Sequence, residues 1–212
     1  MTVRHAPPKV VTTPILPVPA ISGAAFAMSR ACYEKVGGFD ADYFTYFEDT
    51  DLSWRARLAG FEVMLAINSV VYHDYEFRFS PQKMYWIERN RHLTLLKCLR
   101  KETLLRLLPA LLLGEAIVWT YALLRGRATL AAKARALGWL VRNWHEVRRR
   151  RASIQREIED DELVRLMTTS IRFDQTLPGA LGHWMNRLIE PLLAWWKGKV
   201  LAKSTTQEVE SD

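Results

Sequence analysis

A chain of 212 residues, 49% apolar and 25% charged, can bury a core, which excludes disorder throughout and bounds it to one domain or two small ones. The formal net charge of +7 gathers in the second half, where Arg125, Arg127, Lys133, Arg135, Arg142 and the run from Arg148 to Arg151 meet little acid. That asymmetry points to a polyanionic neighbour, a membrane surface or a nucleic acid. Cys32 and Cys98 are too few for a disulfide framework and too far apart for a zinc knuckle, so a reducing compartment is the simplest reading.

Residues 1–20 carry Pro7, Pro8, Pro14, Pro17 and Pro19, which break any apolar signal core and predict an extended, poorly ordered segment. The small apolar run "ISGAAFAMS" from Ile21 reads as a buried strand or a close backbone approach. "SRACYEKVGG" predicts a short helix with Ser29 as N-cap and Gly37 as its stop. A second helix is expected over about 49–59, ending at Gly60. "FEVMLAI" and "SVVYH" both read as strands, the latter ending at His73.

A helical pattern then runs from Trp86 to Leu99 with Arg89, Asn90, Arg91 and His92, where solvated polar groups are the default. "TLLRLLPALLLGEAIVWTYALL" is far more apolar, but Arg106 and Glu115 interrupt it short of the roughly 18 apolar residues of a clear spanning helix. A central Glu costs about 2.5–3.5 kcal/mol on insertion scales, which the surrounding Leu, Ile and Val roughly offset. Spanning, re-entrant, surface-lying and soluble-core helices all remain open, and Pro109 and Gly114 would bend any of them. Next comes a basic helix through residue 158 with Leu130, Leu137, Leu140, Val141 and Trp144 on one face, suited to an anionic membrane surface or to packing on its own protein. A last helical stretch holds Trp184, Trp195 and Trp196 near Lys197 and Lys199, as in an interfacial belt or an ordinary core, and 204–212 reads as a frayed tail.

Glu48, Asp49 and Asp51 fall where the second helix begins, so they suit its free N–H groups and the positive end of its dipole. A carboxylate so placed can also accept a proton from a substrate hydroxyl. Asp51 and Arg55, four apart, are expected to pair, which leaves Glu48 or Asp49 for chemistry.

"ISGAAFAMSR", "GGFDADYFTYFEDTDLSWRARLAGFEV", "VVYH" and "ERN", in that order from Ile21 to Asn90, resemble the acceptor-side half of family-2 inverting glycosyltransferases of the rhamnosyltransferase-like branch. The later helices resemble that branch's C-terminal extension. The resemblance implies an α/β, partial GT-A-type fold without its N-terminal half, divided as 1–20, an acceptor-side half 21–98, a helical membrane-associated extension 99–203 and a tail 204–212. It implies Asp49 as the base that deprotonates the acceptor hydroxyl, Glu48, Asp40 and Gly38 as acceptor-binding residues, and His73 as a ligand of a divalent metal, magnesium or manganese. Read alone, His73 at a strand end is structural, while Gly37, Gly38 and Asp40 form a cap and turn.

In this family a nucleotide-binding half ending in Asp-x-Asp precedes these motifs. Asp40-Ala41-Asp42 and Asp49-Thr50-Asp51 have that spacing but lie inside the acceptor-side motif. The expectation is therefore a truncated or split enzyme, inactive without a separate N-terminal half, that transfers a sugar from a nucleotide sugar to a polysaccharide or lipid-linked acceptor with inversion. Its expected place is the cytoplasmic side of the cell membrane, peripheral or partly inserted, against an anionic surface. The alternative is a non-catalytic membrane-surface interaction protein derived from such an enzyme. Nucleic-acid binding is the weaker reading, because aromatics do not interleave with the arginine run.

Overall fold

A computed structural model describes residues 15–74, 79–169, 187 and 189–201. These are mostly helical, with one small antiparallel sheet in which β1 (Ile15–Pro17) pairs with β2 (Met64–Ala66). The expectations for residues 1–14, for Trp184 and for 204–212 lie outside the described residues.

The first helix, α1 (Arg30–Val36), forms as its sequence dictates. The Ser29 side chain accepts from the Cys32 N–H, and Gly37 ends the helix at φ 74°, a conformation open to glycine. After a 3₁₀ turn (Ala41–Tyr43) comes α2 (Glu48–Leu58), followed by Gly60 at φ 85°. Its buried Arg57 reaches back to the sheet, donating to the carbonyls of Val18 at 2.6 and 2.8 Å and Val63 at 2.7 Å. Cys32, Ala56 and Val63 fill the space between α1, α2 and the sheet.

The run 21–28 takes the second of its two readings, a close backbone approach and not a buried strand, because its backbone donors turn to side chains of α2: Ile21 N–H to Ser53 Oγ at 3.1 Å and Gly23 N–H to Asp49 Oδ2 at 2.9 Å. Two sequence expectations are corrected here. Residues 69–74 are likewise irregular and exposed, after a turn in which Ser69 N–H bonds the Ala66 carbonyl. Residues 15–17, expected to be poorly ordered, form β1, with Pro17 at the end of the strand.

Helices α3 (Pro81–Cys98), α4 (Lys101–Leu124) and α5 (Arg127–Arg142) follow, with α3 packed most extensively on α5. The expected single basic helix is in fact two, since Asn143 interrupts it between α5 and α6 (Trp144–Ala152). The break lets α6 fold back on α3, where Val147 joins Tyr43, Leu93 and Leu140 in one core. Of the proposed apolar face, Leu140 is buried while Val141 and Trp144 are exposed. Finally α7 (Asp160–Leu166) supplies Leu163 to a core of Trp54, Leu58, Cys98 and Leu99, beneath the C-terminal end of α2.

The long apolar helix α4 runs through both Pro109 and Gly114. It is the one described helix long and apolar enough to cross a membrane. Leu105, Leu108, Leu112 and Leu123 form an outward stripe, while Glu115 turns inward to Arg91, His92 and Lys133.

Candidate acceptor-side site

The strongest local feature lies just before α2. Phe44, Tyr46 and Phe47 all have positive φ, between 59° and 68°, which is unusual and costly for aromatic residues. The compensation comes from α3. The Asn90 side-chain amide donates to the carbonyls of Tyr43, Thr45 and Tyr46 at 2.9, 2.8 and 2.7 Å. Arg89 donates to the Asp42 carbonyl and to Asn90 Oδ1, and its guanidinium stacks between Trp86 and Trp139, 4.4 and 4.7 Å from the ring centroids. Both residues are buried, so the expectation of solvated polar groups is overturned: they hold the aromatic loop that sets where α2 begins.

A second clamp fixes the axis of α2. The fully buried Asp51 bonds Arg55 Nε at 2.8 Å, as its spacing predicts, and also Lys97 Nζ at 2.7 Å and the Tyr43 hydroxyl at 3.1 Å. Asp51 thus ties α2 to α3 and is not available for catalysis.

Asp49, two residues back toward the helix start, is only half-buried. Its Oδ2 accepts from Gly23 N–H at 2.9 Å and its Oδ1 from Thr50 N–H at 2.7 Å. The second of these bonds satisfies a first-turn donor, so the capping expectation holds for Asp49, although Phe47 at the N-cap position makes no side-chain cap. Oδ1 also accepts from the Thr50 hydroxyl at 3.4 Å, while Oδ2 keeps a lone pair for a further donor. Beside it Glu48 buries Oε2 without a hydrogen-bond partner among the described residues, and burial, with the Asp49 charge adding, pushes its carboxyl above the usual range. A mostly apolar cleft of about 530 Å³ is lined by Phe26, Met28, Tyr33, Gly38, Phe39 and Leu52 together with Arg30; Asp49 does not line it, but Leu52 lies one helical turn from Asp49.

Gly38 lines this cleft and also a charged one of about 360 Å³ with Asp40, Arg55, Lys97 and Arg150. Asp40 accepts from Lys97 Nζ at 2.8 Å and from Arg150 at 2.6 Å. Burial alone would raise its carboxyl, but those two donors outweigh it and hold the group well below the usual carboxylate range. Asp42 pairs with Arg150 as well. Neither Asp-x-Asp spacing therefore presents a free pair of carboxylates.

Among the described residues, the carboxylates and histidines do not assemble a free divalent-metal site. His73 lies exposed on 69–74, and no group of three closely placed ligand side chains among the described residues includes it. Glu88, His92 and Glu115 do converge, but Lys133 and Arg91 already occupy the space between the two carboxylates, with Lys133 Nζ 2.9 Å from Glu115 and Arg91 Nη2 2.9 Å from Glu88. Two cations balance two anions there, so a dication would have to displace buried ion pairs. Sequence reasoning missed this cluster. Glu88 and Arg91, three apart, were its one local sign.

Residues 2–93 match the family model described as "Glycosyltransferase like family 2". Two curated relatives, from two strains of Mycobacterium tuberculosis, are each an "N-acetylglucosaminyl-diphospho-decaprenol L-rhamnosyltransferase" and are 39% identical over 57 residues. Those residues are 27% of this chain, and the chain covers 19% of the relatives' length. No solved structure matches the chain significantly. A match to this family implies a GT-A-type nucleotide-sugar transferase fold, and the small sheet with its helices is consistent with part of one. Over residues 2–93, then, the chain is similar to the family-2 glycosyltransferases, and over a shorter stretch to the rhamnosyltransferases among them.

Proposed function

We propose that residues 21–98 form the acceptor side of a sugar-transfer site in which Asp49 is the general base. The observation that carries this reading is the Asp49 carboxylate itself, oriented by Gly23 and Thr50 N–H groups yet half-open and one helical turn from Leu52 of the mostly apolar cleft, while Asp40, Asp42 and Asp51 are all engaged in ion pairs. Asp49 takes the proton of an acceptor hydroxyl as its oxygen attacks the anomeric carbon of a nucleotide sugar. The bond to the nucleoside diphosphate breaks on the opposite face, which inverts the configuration. Glu48, with its unpartnered buried oxygen, hydrogen-bonds a neighbouring sugar hydroxyl. Gly38 and Phe39 border the acceptor, whereas Asp40 supports the loop from behind through Lys97 and Arg150.

The acceptor is a glycan or a lipid-linked sugar at the cytoplasmic face of the membrane. The outward leucine stripe of α4 supports this placement, because with Glu115 held inward the helix presents an apolar side suited to lying in the bilayer interface. The same stripe favours the second reading, a non-catalytic protein that binds membrane surfaces. Transfer assays that supply a nucleotide-sugar-binding half, upstream in the same polypeptide or co-expressed, separate the two. A glycoside product of inverted anomeric configuration supports transfer, and absence of any product with a competent donor half and membrane-bound protein favours the second reading.

A further inference from the structure

The arginine run does more than add diffuse charge. Arg148 and Arg151 of α6 converge with Arg100 and Arg156 on a surface cleft of about 400 Å³, with Ala152 completing its lining. Three of the four guanidiniums are held in place by the protein. Arg151 donates to the Leu96 carbonyl at 2.8 Å, and Arg156 donates to the Cys98 carbonyl at 2.5 Å and to Asp160 at 2.7 Å, so both satisfy acceptors at the C-terminal end of α3. Arg100 pairs with Glu159 at 2.5 Å. Arg148 is exposed and makes no hydrogen bond or ion pair among the described residues.

The charge does not close. Glu159 and Asp160 compensate two of the four cations, which leaves Arg148 and Arg151 without a counter-ion among the described residues. Fixed, planar guanidiniums around a cleft are the arrangement that phosphate oxygens recognise best, since each offers paired N–H donors. The location narrows the source of the phosphate. Arg100 is the residue immediately before α4, and the outward apolar stripe begins one turn later at Leu105. A ligand in the cleft therefore sits at the level where an apolar helix face meets charge, as a headgroup does.

We propose that Arg100, Arg148, Arg151 and Arg156 form a binding site for the phosphate headgroup of a membrane lipid. The site is separate from Asp49 and does not depend on the transfer chemistry. It anchors the protein at one defined point beside α4.

The test uses the full chain, vesicles of phosphatidylcholine with or without phosphatidic acid, and soluble inorganic diphosphate as competitor. Arg148→Gln is compared with Arg149→Gln, which removes the same charge one residue away from an exposed side chain that pairs with Glu146 and does not line the cleft. Expected are sedimentation with phosphatidic-acid vesicles, weakening by about tenfold in Arg148→Gln relative to Arg149→Gln, and displacement by diphosphate. Equal losses in the two variants would mean diffuse surface attraction and would overturn the site. Saturable diphosphate binding without any vesicle binding would overturn the lipid assignment. Because Arg148 carries no structural bond among the described residues, an unchanged melting temperature in Arg148→Gln is expected to accompany the loss.

Discussion

Asn90 offers the sharpest residue-scale test of how the site is built. Its one amide serves three loop carbonyls, so Asn90→Ala leaves buried acceptors unsatisfied and releases a loop with three strained aromatic residues. A loss of about 3 kcal/mol is expected in urea unfolding. Asp51→Asn is expected to cost about 3 kcal/mol as well, because it leaves Arg55 and Lys97 beside a neutral, fully buried partner. Asp49→Asn should differ from both: it keeps an oxygen for one N–H donor at a half-buried position, so the melting temperature stays near that of the wild type. If Asp49→Asn unfolds the chain as readily as Asp51→Asn, Asp49 is a structural cap first.

At the scale of elements, α6 and α3 act on the site through charge. Asp40 and Glu88 both have carboxyls held below their usual range: burial opposes this in each case, but Lys97 and Arg150 outweigh it for Asp40, and Arg91 and Lys133 for Glu88. A depressed folded-state value contributes stability above the unfolded value of about 4, and that contribution is lost as pH falls through the folded value. The melting temperature should therefore drop as pH is lowered below about 4, and the Arg150→Gln variant should show a shallower drop because one Asp40 partner is already gone. An identical slope in wild type and variant would contradict this account. The elements differ in how far the sequence disclosed them. Ser29, Gly37 and Gly60 mark their helix ends through interactions within a few residues, and Asp51 with Arg55 follows from helical spacing, so all were legible. Arg57 on the Val18 carbonyl and Asn90 on the Tyr43 carbonyl join residues 39 and 47 positions apart, and no local pattern announces such a bond. The strand expected at 69–73 failed for the same reason, since alternation states which face is apolar but not whether a partner strand is there.

For the whole molecule, the helices beyond α3 both brace the loop before α2 and present an apolar side to the outside. Leu112, exposed on α4, should tolerate Leu112→Glu with little change in melting temperature while membrane-vesicle binding weakens. Retained binding would mean that α4 does not face the bilayer. The central claim, however, concerns Asp49. The direct measurement is steady-state transfer with a donor-binding half supplied, comparing wild type and Asp49→Asn over a range of acceptor concentrations. The account predicts that kcat falls by about 10²–10⁴-fold while acceptor binding is unchanged. Full turnover in Asp49→Asn would contradict it and remove Asp49 from the chemistry.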